Sequence, residues 1–485
     1  MSVAPGTASV PRLREIADLP GPRGWPVLGN MPQMKVERVH QDVERWAAEY
    51  GPLFRMRLGP TTMLVVADHE LLGAVLRDRP EGFQRSPRSL QVAREMGLPG
   101  PGLFAAEGDV WRNQRRMVMA SLAPQHVKSY FPSLVKVTQR LRGRWAKAAD
   151  SGAWIELQSD LMRYTVDAVA GLAFGTDINT LESDEDVIQR HLDKIFPALF
   201  TRSFKMIPTW RFIKRPSDRA LDRSVAEIRQ AITAFIAQAR ERLQDDPQRR
   251  ERPPNLLEAM LVGADQPGSG LGDADVAGNV LTMLLAGEDT TANTLAWMIH
   301  LLHRHPPALR RAQDEVRDAL GDVTGDAAMP PTLEQLDSFE YLDACAQETM
   351  RLKPVAPFMP MMALRESRIG DVRVPKGAMV WGVMRHDSVS EAHFPNALNF
   401  EPERWMGDRA APQRVSMPFG AGARVCPGRY LALLEIKMAM VMLLAHFEIV
   451  EVQASGAGAA LATERMAFSM GPVGLRMKLG PSAAG

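Results

Sequence analysis

Residues 419–428 read Phe-Gly-Ala-Gly-Ala-Arg-Val-Cys-Pro-Gly and contain one of the two cysteines of the chain, Cys426. Gly420 and Gly422 precede this cysteine, and glycine lets a backbone bend sharply and lie close to a large flat ligand. A lone cysteine is most often a small buried hydrophobe. The surrounding glycines favour a different interpretation, in which the backbone is shaped around a ligand.

The residues after Cys426 predict a helix. Pro427 suits a first helical turn, because its missing N–H would have no partner there, and the apolar run at 429–447 continues the helix. The N–H groups of Gly428 and Arg429 can then point at the sulfur and favour a thiolate. An unpaired thiolate beneath a flat ligand is what a thiolate-ligated haem requires.

The spacing Phe419-x-x-Gly422-x-Arg424-x-Cys426-x-Gly428 resembles the haem-binding loop of the cytochrome P-450 family, with every fixed position present. The resemblance implies that Cys426 is the iron ligand of a haem b. It also implies that the neighbouring loop residues contact the cofactor: Phe419, Gly420, Arg424 and Gly428.

The composition is that of a globular protein, with 485 residues, 45% of them hydrophobic and 24% charged. The net charge of +1 gives no sign of a nucleic-acid partner. Two cysteines cannot build a disulfide framework, which fits a reducing cytosol. No apolar run is long enough to span a bilayer, and residues 1–20 lack the apolar core of a signal peptide. We therefore expect a cytoplasmic protein without a membrane anchor.

The resemblance implies a mainly α fold with small β-sheets (α+β), in which the haem lies between a long central helix and the helix after Cys426. Alternating apolar residues at 52–68 predict a β-hairpin, whereas 82–102 reads as an irregular loop. We expect residues 1–19 to be a flexible N-terminal tail and residues 20–485 to form a single domain that is monomeric.

The central helix is predicted to run from Asp273 to His305, where two prolines end it. In its middle, residues 286–291 read Ala-Gly-Glu-Asp-Thr-Thr. Glycine inside a helix costs about 1 kcal/mol relative to alanine, so a close packing or functional contact is expected at Gly287. Taken alone, the stretch indicates a helix bent by threonine, with its acids facing water.

The same six residues resemble the oxygen-activation motif of the family. Oxygen activation at a haem consumes protons, and a hydroxyl group can both donate and accept them while an adjacent acid relays them from water. The resemblance therefore implies that Thr290 and Asp289 are catalytic. It also places Ala286 and Gly287 against the face of the haem.

Trp111 and Arg115 are four residues apart and share one face of a predicted helix. Taken alone, they indicate a packed tryptophan within a solvated basic patch. In the family such a pair meets a haem propionate, so the resemblance implies that Trp111, Arg115 and Arg424 hold the propionates. Residues 385–387 read Arg-His-Asp where relatives often read Arg-Asp. This departure leaves open how that region meets the haem.

Glu348 and Arg351 form a pair at i,i+3, a spacing that by itself contributes only a few tenths of a kcal/mol. Residues 402–405 read Pro-Glu-Arg-Trp. The two segments resemble the Glu-x-x-Arg and Pro-Glu-Arg elements of the family. The resemblance implies that Glu348, Arg351 and Arg404 form one buried structural network behind the haem loop.

The resemblance also places a substrate pocket above the haem. The candidate pocket residues are apolar: Met283, Leu284, Ala286, Ala356, Phe358 and Phe468. We therefore expect a small apolar substrate, such as a terpenoid, fatty acyl or polyketide-like molecule. Whether the substrate is free or bound to a carrier protein stays open.

The expected activity is that of a haem-thiolate monooxygenase, which inserts one atom of O2 into an apolar substrate by hydroxylation or epoxidation. The chain ends soon after its last predicted hairpin, so we expect no fused flavin domain. Electrons would come from a ferredoxin or flavodoxin and an NAD(P)H-dependent reductase, docked on a basic face with Arg112, Arg116 and Arg429. A peroxide-driven peroxygenase of the same fold and a non-catalytic haem-thiolate sensor or binding protein are the alternatives.

Overall fold

Helices make up most of the fold in the computed structural model, which describes residues 13–122, 124–183, 187–321, 330–407, 410–455 and 462–481. The helices are α1 Val39–Tyr50, α2 His69–Arg77, α3 Pro87–Glu95, α4 Gly108–Ser121, α5 Pro124–Ser151, α6 Leu157–Val169, α7 Val187–Phe204, α8 Pro216–Asp245, α9 Gln248–Glu251, α10 Leu256–Ala264, α11 Asp273–Arg304, α12 Pro306–Leu320, α13 Leu333–Ser338, α14 Glu340–Leu352, α15 Ala410–Val415 and α16 Arg429–His446. Within these described ranges, no helix combines the length and apolar character needed to cross a bilayer.

The strands form small sheets around the helices. They are β1 Arg14–Glu15, β2 Leu53–Leu58, β3 Thr61–Val66, β4 Phe83–Arg85, β5 Ile155–Glu156, β6 Phe358–Ala363, β7 Ser367–Ile369, β8 Val372–Val374, β9 Met379–Val383, β10 Phe447–Gln453, β11 Glu464–Met466, β12 Met470–Pro472 and β13 Arg476–Pro481. The largest sheet has the order β2-β3-β9-β6-β4, and the smaller ones are β1-β8-β7, β10-β13-β5 and β11-β12. The predicted hairpin at 52–68 is present, with Leu53 opposite Val66. The mainly α fold with small β-sheets is therefore confirmed.

The central helix α11 spans 32 residues, close to the predicted range. Gly272 is its N-cap residue, one position before the expected Asp273, and the helix ends before His305. Its side chains are buried on every side from Thr291 to Leu302. A helix that is apolar all round belongs to the core of a large protein, and α11 packs against α6, α14 and α16.

Helix α16 follows the cysteine loop, as predicted. It begins at Arg429 with Gly428 as its N-cap residue, and it is buried on all sides from Leu434 to Leu444. Cys426 therefore lies two residues before the N-cap. Because α16 packs against α11, the loop that precedes α16 is anchored to the helical core.

The irregular loop expected at residues 82–102 is not what the structure shows. Strand β4 pairs with β6, and α3 begins at Pro87, where proline costs no hydrogen bond. Val92 of α3 is fully buried. These elements are too short to leave a periodic signal in the sequence.

Part of the expected N-terminal tail joins a sheet. Arg14 and Glu15 pair in parallel with β8, and the Arg14 Nε atom lies 2.7 Å from Asp371 Oδ2. Leu19 is buried. The expected tail is therefore strand and short helix from Arg14 to Asp18, and residues 1–12 lie outside the described residues.

Candidate active site

The loop before α16 bends so that its backbone presents the sulfur of Cys426. Gly420 and Gly422 have φ angles of +74° and +71°, in the left-handed region that favours glycine. A Cβ atom on Gly422 would lie 2.7 Å from the Cα of Arg77, so glycine also lets the loop pack on α2. The N–H of Gly428 donates to the Cys426 sulfur, as predicted.

Protein atoms surround the sulfur of Cys426 closely enough to desolvate it, although the residue is exposed at the surface. Its N–H donates to the carbonyl of Phe419 (N···O 2.9 Å), and its side chain is exposed. Burial raises the pKa of the thiol, and the Gly428 N–H with the charges of Arg115 and Arg429 lower it only in part. A thiol loses its proton when it coordinates a metal ion, so the expected thiolate stays a prediction for the haem-bound protein. An accessible thiol of this kind fits the axial ligand of a haem.

Arg79, Arg85 and Arg424 lie close enough for their charges to repel one another, and Arg424 also contacts Trp111. The Arg424 guanidinium lies 4.3 Å from the centroid of the Trp111 ring and forms an ion pair with Glu107. Burial lowers the pKa of Arg424 to about 10. Burial, followed by repulsion from Arg79 and Arg424, lowers the pKa of Arg85 to about 9. Like charges are thus crowded into a partly buried space.

Several N–H groups of this cluster have no hydrogen-bond partner among the described residues: Nε and Nη1 of Arg424, Nε and Nη2 of Arg79, and Nε of Arg85. Glu107 offsets part of the charge of these arginines, but buried donors left without partners are unfavourable, so the cluster is suited to bind further anions. The two propionates of a haem supply carboxylates that a guanidinium binds at two points. Sequence reasoning included Arg424 but missed Arg79 and Arg85, whose signal is the arginine-rich stretch at 77–94.

Arg385, where the chain departs from the family pattern, does not join this cluster. Its guanidinium lies 2.6 Å from Glu44 and 2.8 Å from Glu464, so two carboxylates neutralise it. His386 contacts Asp387 instead, with 3.0 Å between Nδ1 and Oδ1. Arg385 and His386 are therefore occupied within the protein, and the arginines with unpaired N–H groups come from other segments.

The middle of α11 presents a small exposed residue, Ala286, between partly buried neighbours. Thr290 donates its hydroxyl proton to the Ala286 carbonyl (2.6 Å), and its oxygen keeps lone pairs that can accept a further hydrogen bond. Gly287 faces α6, because a Cβ atom there would lie 2.2 Å from Val169 Cγ2. The structure thus shows a close packing contact at Gly287, and its contact with the haem stays a prediction.

The Asp289 carboxylate turns toward the β11–β12 hairpin. Ser469 donates to it from its hydroxyl (2.6 Å) and its N–H (3.3 Å), and Asn293 donates from Nδ2 (2.7 Å). Burial raises the pKa of Asp289, and these hydrogen bonds offset part of that shift. A proton relay to Asp289 would therefore run through Ser469. Sequence reasoning missed Ser469, which stands 180 residues away in the chain.

Aromatic rings line the space beside this hairpin. Phe468, at the expected place on the hairpin tip, has its ring centroid 5.9 Å from that of Phe104 and 5.1 Å from that of Phe196. Phe358 stacks on Trp381 at 4.6 Å. Rings from five separate segments thus form an apolar wall.

The remaining pocket candidates differ in exposure. Ala356 is exposed, and its neighbour Val355 accepts the N–H of Met470 (2.8 Å), which holds this turn against the hairpin. Met283 is partly buried against the core. Leu284 is only 1% exposed, so it belongs to the core and is removed from the candidate pocket residues.

Glu348 and Arg351 have fully buried side chains and form a two-point ion pair with distances of 2.7 and 2.8 Å. Glu348 also accepts from the Trp405 Nε1–H (2.8 Å) and the Glu401 N–H (3.0 Å). Arg404 reaches the same carboxylate at 3.4 Å. The three residues expected to form a network are therefore brought together, and they join α14 to the segment at 401–405.

Comparisons with known proteins agree with this geometry. The model of the cytochrome P-450 family matches residues 19–479. The chain is 28% identical to the cyclooctat-9-en-7-ol 5-monooxygenase of Streptomyces melanosporofaciens, over 92% of this chain and 93% of that protein. It is also 28% identical to the pentalenene oxygenase of Streptomyces avermitilis (91% and 94% covered) and to the human mitochondrial 25-hydroxyvitamin D-1 alpha hydroxylase (90% and 87% covered). The chain therefore belongs to the cytochrome P-450 family and is a cytochrome P-450 monooxygenase.

Proposed function

We propose that the chain inserts one atom of O2 into an apolar substrate, by hydroxylation or epoxidation, at a haem b held by Cys426. The observation that carries this proposal is the accessible Cys426 thiol, with the Gly428 N–H donated to its sulfur. When bound, the haem supplies the binding and reduction of O2 and the transfer of an oxygen atom. The chain itself supplies ligation, orientation and protons.

Different residues would ligate the iron and bind the propionates of the haem. Cys426 would ligate the iron, and Arg115 would place a positive charge beside the thiolate. Arg79, Arg85 and Arg424 would hold the propionates through their unpaired N–H groups. These charges would fix the orientation of the haem, because two carboxylates bound at several points leave little freedom to rotate.

Protons would pass along the hairpin side of α11. Burial raises the pKa of Asp289, and a raised pKa suits an acid that donates protons. Ser469 donates to the Asp289 carboxylate and accepts a hydrogen bond from Asn293. The Thr290 hydroxyl donates to the Ala286 carbonyl. Both Asp289 and Thr290 are the residue types that oxygen activation needs, whereas a peroxide-driven enzyme has no use for the pair.

The aromatic wall indicates the substrate class. Phe104 and Phe196 each contact Phe468, which precedes Ser469 of the proposed proton relay. Aromatic faces bury apolar surface without demanding hydrogen bonds. Two of the relatives are named for cyclooctat-9-en-7-ol and pentalenene, and these names also favour an apolar substrate. We propose a largely hydrocarbon substrate, terpenoid-like in the first place.

Electrons would come from an acidic ferredoxin or flavodoxin and its NAD(P)H-dependent reductase. A groove of about 540 Å³ adjoins the cysteine loop, and its lining includes Phe419, Arg77, Arg414 and Arg429, with Glu70 as the one acid among its described lining residues. Its arginines outnumber its carboxylates, so it complements an acidic carrier. The groove therefore supports docking close to the iron ligand.

One member of the expected docking face is revised. Arg112 pairs with Glu81 and Asp109, so most of its charge is already offset. Arg116 is exposed and stays a candidate. The proposed docking face therefore relies on Arg429 and the groove arginines rather than on Arg112.

A carbon-monoxide difference spectrum and a turnover assay test the proposal. The reduced protein is expected to show the thiolate-haem band, Cys426→Ala to lose it, and Cys345→Ala to retain it, because Cys345 is the buried second cysteine. A screen for spin-state shifts across terpenoid, fatty acyl and polyketide-like compounds would identify substrates. Product formed with hydrogen peroxide, but none with reduced ferredoxin and O2, would favour the peroxygenase. NAD(P)H consumed without oxygenated product would favour the sensor.

A further inference from the structure

Histidines from two segments converge on the carboxylate of Asp387. His69 is the first residue of α2, and Asp387 and His393 follow β9. The Asp387 Oδ2 atom lies 2.8 Å from His69 Nδ1 and 3.6 Å from His393 Nε2. One ligand atom from each residue lies within 4.8 Å of the other two. Among the residues that the structure describes, no other three His, Cys, Asp or Glu side chains come together in this way.

Hydrogen bonding accounts for only part of this cluster. Asp387 accepts the N–H of His69 (2.8 Å) and so caps the start of α2. His393 is not explained by such a role, because 3.6 Å exceeds the distance of a hydrogen bond. The His69 and His393 rings nevertheless stand edge to face, with centroids 4.6 Å apart. His393 thus directs a nitrogen at the shared oxygen from a distance at which an ion can bridge them.

A third histidine contacts the other oxygen of the same carboxylate. His386 Nδ1 lies 3.0 Å from Asp387 Oδ1, the oxygen that faces away from His69 and His393. Residues that orient a ligating carboxylate in this way are typical of metal sites.

We propose that His69, Asp387 and His393 bind a divalent transition-metal ion, with Zn²⁺ the preferred one. Two imidazole nitrogens and one carboxylate oxygen suit Zn²⁺, Ni²⁺ or Cu²⁺, whereas Mg²⁺ and Ca²⁺ take oxygen ligands. Metal–ligand bonds of about 2.1 Å place tetrahedral ligand atoms about 3.4 Å apart. The observed separations of 2.8 and 3.6 Å need only small shifts to reach that value. Water completes the coordination.

The position of the cluster lets an ion enter from solvent and places its charge beside the groove near the cysteine loop. The His393 side chain is 30% exposed, so an ion can enter from solvent. His69 also lines the groove that contains Phe419 and Arg429. A bound ion would tie α2 to the segment after β9 and add positive charge at one end of that groove.

Zinc binding to the untagged, haem-loaded protein tests this proposal. The protein is stripped with EDTA and dialysed against ZnCl2, and zinc per protein is measured by mass spectrometry. We expect one equivalent in the parent protein and binding at least about 10-fold weaker in His393→Ala. His446→Ala, which removes a histidine at the end of α16 outside the cluster, is expected to bind as the parent does. Equal binding by His393→Ala, or no zinc in the parent, would overturn the proposal.

A measurement on the parent protein alone guards against a variant that fails to fold. Zn²⁺ is expected to raise its melting temperature and EDTA to reverse the rise, because an ion that binds the folded state stabilises it. Mg²⁺ at the same concentration is expected to have no such effect. If His393→Ala loses its haem spectrum, His393→Gln replaces it in the binding assay. An unchanged melting temperature at saturating zinc would count against the site.

Discussion

Replacing Arg351 by alanine is expected to prevent most of the protein from accumulating in the haem-loaded state. The Arg351 side chain is fully buried and forms a two-point ion pair with Glu348. It also donates to the carbonyls of Ser388 (2.5 Å), Ala397 (2.7 Å) and Asn399 (3.1 Å). The substitution therefore removes the Arg351 donors from one buried carboxylate and from three carbonyl groups.

The size of the effect follows from these contacts. Removing one partner of a buried ion pair costs about 3–5 kcal/mol. Glu348 keeps N–H donors from Trp405 and Glu401, which favours the lower end of that range. Each carbonyl left unsatisfied adds about 1–3 kcal/mol unless water reaches it. A loss of at least about 4 kcal/mol is expected, against a typical total of about 5–15 kcal/mol.

Arg317→Ala is the matched control. Arg317 pairs with Asp314 at the same i,i+3 spacing, 3.0 Å apart, but their side chains are 63% and 60% exposed. Exposed pairs contribute about 0.2–1 kcal/mol. Urea unfolding followed by circular dichroism gives the free energy of unfolding, and haem per protein is measured on the same samples. Near-parental haem content in Arg351→Ala, or equal losses in the two variants, would refute the reasoning.

Three further substitutions test other contacts. Gly287→Ala should cost about 1–3 kcal/mol in urea unfolding, because the new methyl group would overlap Val169; adding Val169→Ala should recover part of the loss. Ser469→Ala removes the shortest hydrogen bond to Asp289. We expect less product and more hydrogen peroxide per NAD(P)H with an unchanged haem spectrum, and unchanged coupling would contradict the relay. Glu435 is buried, and burial raises its pKa to about 8. The folded state therefore retains a proton that the unfolded chain releases above about pH 4.5. The free energy of unfolding should fall as the pH rises from 5 to 8. Glu435→Gln should flatten that slope, and an equal slope in both proteins would rule out this assignment.

Much of the framework could be predicted because its signals are local. The helix α16 and the back-bond from Thr290 to Ala286 depend on residues within a few positions of one another. The β2–β3 hairpin depends on alternation across one turn. Such short-range patterns survive in the sequence because the backbone geometry that they encode repeats every two or 3.6 residues.

Other features could not be predicted, because burial and the direction in which a residue faces depend on the packed molecule. The loop of Cys426 carries the expected N–H donor, but only the fold shows that desolvation by the surrounding protein raises the pKa of the free thiol. Gly287 packs against Val169 of α6, a partner that the sequence did not identify, and its contact with the haem stays a prediction. Leu284, an apolar candidate for the pocket, is enclosed by the core.

The sequence by itself determined the identity of the iron ligand candidate Cys426, the acid–alcohol pair on α11 and the mainly helical fold, since each depends on residue types at short fixed spacings. Only the tertiary structure decided which distant groups meet. It brings Ser469 to an acid 180 residues away and His69 to Asp387 across 318 residues, and it gathers Arg79 and Arg85 around Arg424. Spacing along the chain carries no information about such contacts, because they depend on how helices and sheets pack and on which charges that packing leaves without a partner.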